Sequence, residues 1–445
     1  YCPVKMHFSI PDTQEFIDSA GNTYGYNIHI NGLFHCTVRY KQLHNLHEQL
    51  SKDLDISLPT FPPKKFFPLT ANQQEERRLS LEKYIQSIGQ NVVVNNSGIL
   101  NGFLLNAQQE TIGGSSNNEN MDIFLMNGCK VVINISTGED TTDVLKKTCK
   151  QLKLLEEYHP YFALFIVIQD KGNVLRKLQD FESPFITNKN MRTLGSKVML
   201  GKNYWDVEYD LELMKDNVAL NLLYIQAFAE VLRGWIPVTG EQADQLCSLQ
   251  NSDRKKEYLE IVRTLKYYGY IQFAPCYCDY PQPESKVLVA IGKNELNLRI
   301  LSNEEQREAT FKVSRMRCWR VTTLSEENHD YSLELSFEYL IARNQLQWIT
   351  IASEQAILMS VCLQAMIDEL LLKNVGGNRT QSDYTNQPSK SEPIMKKLAD
   401  RLSAVKMKKS NEVKSTVVSE AQRKRVPECD IMENNAFRMI GDDDL

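Results

Sequence analysis

The chain predicts a multi-domain α+β protein, and three observations carry that prediction. Its 445 residues call for about three or four domains rather than one core. Hydrophobic residues make up 42% and charged residues 24%, the balance of a soluble globular chain with ample core material. The hydrophobic period also changes along the chain, from hairpin-then-helices to hairpin–helix–strand, then helices only, then strands closed by one helix.

Residues 6–110 form the first unit. Tyr26, Ile28 and Ile30 alternate up to Asn31-Gly32, and Phe34, Cys36, Val38 and Tyr40 alternate away from it, the pattern of a tight hairpin. Leu43, Leu46, His47 and Leu50 recur at helical spacing. Phe61-Pro62-Pro63-Lys64 must be extended, because proline fixes its own φ and restrains its predecessor. Thr70 with Gln73 forms a capping box for a helix carrying Arg77, Leu81, Tyr84 and Ile88.

Residues 111–120 read as a polar linker. Over 121–205, a second hairpin turns at Asn127-Gly128, followed by a helix from about Thr142 and an apolar strand at 161–168, the opening of a small α+β domain. Residues 206–270 read as all-helical. From 271 to 375, strands are expected at 287–291, 296–300, 311–322, 333–340 and 347–351, closed by a helix over 354–373, which suggests a small barrel or orthogonal sandwich. Residues 376–445 are polar with few aromatics and are expected to be mostly disordered.

Several function classes recede. A net charge of −5 gives no global basic field for nucleic acid. The ten cysteines are scattered through apolar patterns, which suits reduced thiols in a cytosolic chain. Cys276 and Cys278 have no second pair to complete a metal site. No stretch reaches the apolar length of a membrane span, and Tyr1 to Lys5 carry no signal core, so Met6 reads as a natural start. No catalytic or phosphate-loop pattern is present, so neither an enzyme nor a cofactor is expected.

The basic residues of the first unit carry the chemistry. Arg77 lies on the inward stripe of its helix with Leu81, Tyr84 and Ile88, where a guanidinium needs an anion or several acceptors. Arg39 lies near the end of its strand on the face opposite the apolar set, and Lys64 and Lys65 sit on the rigid proline segment. Phe66, Phe67 and Leu69 follow directly. Cations beside loop aromatics suit a phosphorylated headgroup with side chains dipping into a bilayer. A structural ion pair for Arg77 and solvated lysines would account for the same residues.

Arg39-Tyr40-Lys41-Gln42-Leu43-His44-Asn45-Leu46-His47-Glu48-Gln49-Leu50, Phe61-Pro62-Pro63-Lys64 and Glu76-Arg77-Arg78 resemble, in order and spacing, the signature of phox-homology (PX) domains. The opening Met6-His7-Phe8-Ser9-Ile10-Pro11, the β-region run from Arg315 to Thr322 and the ending Ile440-Gly441-Asp442-Asp443-Asp444-Leu445 extend the likeness over nearly the whole chain. They resemble the sorting nexins that join a PX domain to a FERM-like module. That resemblance implies a PX domain, a ubiquitin-like lobe, a reduced helical lobe and a phosphotyrosine-binding-like (PTB-like) lobe.

It further implies that Arg39 grips the 3-phosphate of phosphatidylinositol 3-phosphate, Tyr40 stacks on the inositol ring, Lys64 takes the 1-phosphate and Arg77 binds ring hydroxyls. Trp319, Leu340, Ile367 and Leu371 would form a groove for Asn-Pro-x-Tyr or Asn-x-x-Tyr motifs of receptor tails. A tail segment from Phe437 through Ile440 to Leu445 would dock the Retriever complex. The implied protein is a peripheral adaptor on early and recycling endosomes, with weaker grounds for a small GTPase on the ubiquitin-like lobe. The rival expectation is a cortical FERM-type scaffold that binds plasma-membrane lipids, cytoskeleton or a small GTPase.

Overall fold

The computed structural model describes residues 6–18, 21–65, 69–114, 116–168, 173–191, 195–301, 307–325, 331–342, 345–374, 432–434 and 436–437. In the first unit, β1 (Phe8–Ser9), β2 (Thr13–Asp18), β3 (Gly21–Ile30) and β4 (Leu33–Arg39) form one sheet in which β3 pairs with the other three. Asn31 and Gly32 both take positive φ, 50° and 82°, so the β3–β4 turn twists with its strands. Helices α1 (Tyr40–Asp53), α2 (Ala71–Gly89), α3 (Val92–Asn96) and α4 (Ile99–Thr111) complete the unit. The capping box at Thr70 and Gln73 is present at the start of α2. Ile28, Val38, Leu46, Leu81 and Ile85 centre the core.

The second unit comprises β5 (Asn118–Phe124), β6 (Lys130–Ser136), α5 (Thr141–Leu152), β7 (Phe162–Ile168), β8 (Val174–Lys177), α6 (Pro184–Asn190) and β9 (Ser196–Lys202). Its sheet order is β6-β5-β9-β7-β8, with β5 and β9 parallel. The third unit is helical: α7 (Tyr209–Leu213), α8 (Asn217–Leu232), α9 (Gly240–Asn251) and α10 (Lys255–Val262). It shares one continuous core with the second.

The fourth unit contains β10 (Ile271–Gln272), β11 (Cys276–Cys278), β12 (Ser285–Gly292), β13 (Glu295–Ile300), β14 (Arg307–Lys312), β15 (Met316–Ser325), β16 (Tyr331–Ala342) and β17 (Gln345–Ala352), with α11 (Ala356–Asn374) packed on the strands. A further strand, β18 (Met432–Glu433), comes from the tail and pairs with β15 at the sheet end.

Three expectations change. The stretch read as a linker is shorter, because α4 runs on to Thr111 and β5 begins at Asn118. The strand expected over 311–322 is two strands, since a 3₁₀ turn at Val313–Arg315 redirects the chain from pairing with β13 to pairing with β16. The tail was expected to be mostly disordered, yet Met432 to Asn434 and Ala436 to Phe437 lie on the fourth unit. Met395, Leu398, Leu402 and Val405, whose spacing in the sequence would line one side of a short inducible helix, lie outside the described residues.

Buried polar contacts join the units. Gln108 on α4 accepts a hydrogen bond from the Ser183 N–H (2.8 Å) and donates to Thr187 Oγ1 (2.9 Å). Glu182 pairs with the buried Arg176 through both terminal guanidinium nitrogens, Nη1 and Nη2, and accepts from Thr187 Oγ1 (2.7 Å) and the Gln179 N–H (2.6 Å). His35 of β4 lies 3.9 Å from Glu182 with its ring edge on Phe181. At the other junction, the fully buried Asp210 accepts from the hydroxyls of Tyr204 and Tyr268 and from Arg263 Nε (3.2 Å), with Lys202 Nζ at 3.8 Å. Those partners come from β9 and its following loop, from α10's end and from the entry to the fourth unit.

Burial pushes the Glu182 carboxyl up, but Arg176 together with His35 and the Gln179 N–H outweighs it and holds the group below the usual carboxylate range. Burial lowers His35 to about 4. Both groups bind protons more readily when unfolded, so both withdraw stability as pH falls. His35 begins to do so below its unfolded value near about 6.5, and Glu182 below about 4.3. Stability in urea, followed by tryptophan fluorescence, should therefore begin to fall below about pH 6.5, and a decline between about pH 6.5 and about pH 4 that is no shallower in His35→Phe would contradict this. Glu182→Ala leaves Arg176 buried without its counter-charge, with an expected loss of about 3–5 kcal/mol in urea denaturation. A loss below about 1 kcal/mol would mean that the pair is solvated.

Candidate functional site

Two places gather chemistry. The first lies where β4 runs into α1. Arg39 caps α1, its N–H donating to Gln42 Oε1 at 2.7 Å, and Gln42 donates in turn to Glu110. The Arg39 guanidinium lies 6.0 Å from the Phe16 ring. Gly25, which pairs with Arg39 across β3 and β4, makes room for that ring, since a Cβ there would sit 2.5 Å from Phe16.

Arg77 sits over the Tyr40 ring at 4.6 Å and hydrogen-bonds the Tyr26 hydroxyl, while its Nη2 is buried with no hydrogen-bond partner. A buried cationic nitrogen without an acceptor is costly, so this atom is set up for a ligand oxygen. Arg78, its neighbour, is engaged instead by Glu75, Glu82 and the Ile10 carbonyl. The proline segment is pinned at two points. The Tyr40 hydroxyl donates to the Pro62 carbonyl (2.8 Å), and the Phe61 ring packs on His47 (5.1 Å) and Tyr84 (4.9 Å). This leaves Lys64 and Lys65 exposed and Leu69 half-buried, while Phe66 and Phe67 lie outside the described residues. The structure thus brings Tyr40, Phe61 and Arg77 into contact, with Arg39 next to Tyr40 in the chain and beside Phe16.

The second place is the edge of β15. Met432 pairs with Trp319 and Glu433 with Cys318 in antiparallel register, so the tail adds a strand to the sheet. Asn434 then plugs in, 4% exposed, with every polar group used. Its N–H donates to the Arg317 carbonyl (3.0 Å), and its Nδ2 donates to the carbonyls of Val313 (2.8 Å) and Met316 (2.7 Å). Its Oδ1 accepts from the Ala436 N–H (2.8 Å). The Phe437 N–H donates to the Asn434 carbonyl at 3.1 Å, turning the chain as a helical turn begins.

Trp319 is fully buried, and its Nε1 donates to Ser360 Oγ (2.9 Å) on α11. Ile367 is buried in the same core and Leu371 packs partly buried against it, while Leu340 is buried on β16, the strand beside β15. Trp319 is therefore both a core residue and the register partner of the inserted strand. Phe437, expected to belong to a terminal docking segment, sits at this edge, and Ile440, Gly441, Asp442, Asp443, Asp444 and Leu445 lie outside the described residues. The sequence reading missed Ser360, Met432 and Asn434. The signal was present, since Asn434 to Phe437 is itself an Asn-x-x-aromatic run.

Among the described residues, no cluster of three or more His, Cys, Asp or Glu side chains could hold a metal ion, and no helix is long and apolar enough to cross a membrane.

Comparison with known proteins follows this geometry. Residues 26–107 match the PX domain family, and 119–205 match the F1 lobe of the sorting nexin 17/27/31 FERM domain. Residues 206–266 match the F2 lobe of the sorting nexin 17/31 FERM domain, and 269–371 the sorting nexin 17 FERM C-terminal domain. Sorting nexin-17 of Danio rerio is 42% identical over 99% of this chain and 100% of its own length, and that of Homo sapiens is 41% identical over the same shares. Sorting nexin-31 of Homo sapiens is 35% identical over 87% of this chain and 91% of its own. A solved human myosin 7b MyTH4-FERM structure overlaps at a TM-score of 0.41 and 14% identity, covering 66% of this chain and 71% of that one, too loosely to bear on function. The chain belongs to the sorting nexin family, in the group that joins a PX domain to a FERM module and includes sorting nexin-17 and sorting nexin-31.

Proposed function

We propose that the chain is an endosomal cargo adaptor. It binds phosphatidylinositol 3-phosphate through the first unit and Asn-Pro-x-Tyr or Asn-x-x-Tyr motifs of receptor tails through the fourth. It returns those receptors to the cell surface and away from lysosomal degradation. The observation that carries the reading is the tail in the groove. An Asn-x-x-Phe segment adds a strand to β15 and buries its asparagine, which is how a receptor tail of the same pattern would bind. The unpartnered Arg77 Nη2 beside Tyr40 and Arg39 supports the lipid half. On this reading Phe66, Phe67 and Leu69 enter the bilayer, and Phe437 with Ile440 to Leu445 dock the Retriever complex, with a small GTPase on the second unit a weaker part of the proposal.

Two outcomes follow. Arg39→Ala should weaken binding to liposomes carrying phosphatidylinositol 3-phosphate at least about tenfold, since a charge-assisted grip on phosphate is lost. Sedimentation equal to the parent would remove the lipid assignment. Asn434→Ala should release the tail and raise the affinity for an Asn-Pro-x-Tyr peptide by roughly tenfold, because three side-chain hydrogen bonds hold the competitor. An unchanged calorimetric titration would mean that tail and peptide do not share the groove.

A further inference from the structure

We infer that Ser360 is a specificity-determining residue of the groove, its hydroxyl reading a thioether two residues before the motif asparagine; the inference rests on the peptide-binding reading above. Ser360 lies on α11 at 3% exposure, beside Met359 at 0% and close to Cys362 at 4%. Alanine would fit the same packing with better helix propensity, so the oxygen needs a use.

A serine hydroxyl has two acceptor lone pairs and one proton. Within a helix that proton ordinarily turns back to the carbonyl four residues earlier. Here the oxygen accepts from Trp319 Nε1 at 2.9 Å and its proton points across the groove to Met432 Sδ at 3.4 Å. The strand register fixes which peptide residue meets it. Met432 pairs with Trp319, two positions before the buried Asn434, so any peptide seated by its asparagine presents the same side chain to Ser360.

An unbranched aliphatic chain fills the same volume but leaves the hydroxyl proton facing a group that cannot accept it, in a site that Met432 closes to water. The groove therefore ranks a methionine at this position above an isosteric hydrocarbon. Sulfur is a weak acceptor, so the difference is small, about three- to fivefold in affinity.

Norleucine replaces the thioether sulfur with a methylene at nearly constant shape. The peptide Ile-Met-Glu-Asn-Asn-Ala-Phe and its norleucine counterpart are titrated calorimetrically into the full chain carrying Asn434→Ala, which frees the groove. They are also titrated into the same chain carrying Ser360→Ala or Ser360→Thr in addition. The expected result is a three- to fivefold preference for methionine in the parent groove, its loss in Ser360→Ala, and its return in Ser360→Thr, which restores a hydroxyl. Loss of the Trp319 partner in Ser360→Ala weakens both peptides alike and cancels in the ratio. Equal binding of the two peptides in the parent groove overturns the inference, and so does a preference that survives Ser360→Ala. The parent ratio decides even where Ser360→Ala does not fold. Failure of both peptides to bind the parent groove is a different result, which removes the peptide-binding reading itself.

Discussion

A single carboxylate holds the FERM-like part of this molecule in shape. Asp210 is fully buried, and three surrounding segments each send it a donor: the Tyr204 loop after β9, Arg263 after α10, and Tyr268 at the entry to the fourth unit. A buried charge survives only where its lone pairs are satisfied, so the lobes cannot separate without stranding it. Because α11 is anchored at the same junction, where Glu369 accepts from the N–H groups of Trp205 and Asp206, the groove inherits that rigidity. The side chains that meet a peptide thus stand on elements whose positions are fixed from outside the fourth unit. The first unit is tied in by Gln108, which bonds Ser183 and Thr187, and by His35 beside Glu182, so the lipid corner and the groove belong to one connected body.

The tail in the groove changes what binding means here. A segment carried on the same chain docks in a unimolecular step, so its effective concentration far exceeds that of a free peptide of equal intrinsic affinity. Its weak points are local. Trp319 and Asn434 supply most of the specific contacts, and among the described residues β18 meets the sheet at the pairs with Cys318 and Trp319 and at the Asn434 N–H to Arg317 carbonyl bond.

Much of the fold was legible because its signals are local. Asn31-Gly32, the Thr70–Gln73 capping box and the inward spacing of Arg77 each specify geometry within a few residues. The rest depends on partners distant in the chain. Strands β10 and β11 are two and three residues long and carry no period. The run from Phe311 to Thr322 reads as one strand because nothing local announces that its two halves serve different neighbours. Gln108 and Glu182 look like surface residues in the sequence and are buried only because their partners converge from other units. At the site, Trp319 could be named from a resemblance, but Ser360 could not, since a serine in an apolar helix announces no groove.

Strand β15 borders the end of its sheet, and a bare edge of that kind offers unpaired backbone groups to any extended chain, including another copy of the protein. Natural sheets blunt such edges with charges, prolines or a covering segment. Here the cover is removable by design of the sequence, since β18 is held by one asparagine and a two-residue ladder. On the proposed reading, the segment that competes for the groove would also cover the edge against self-association, which would tie the protein's colloidal behaviour to the occupancy of that site.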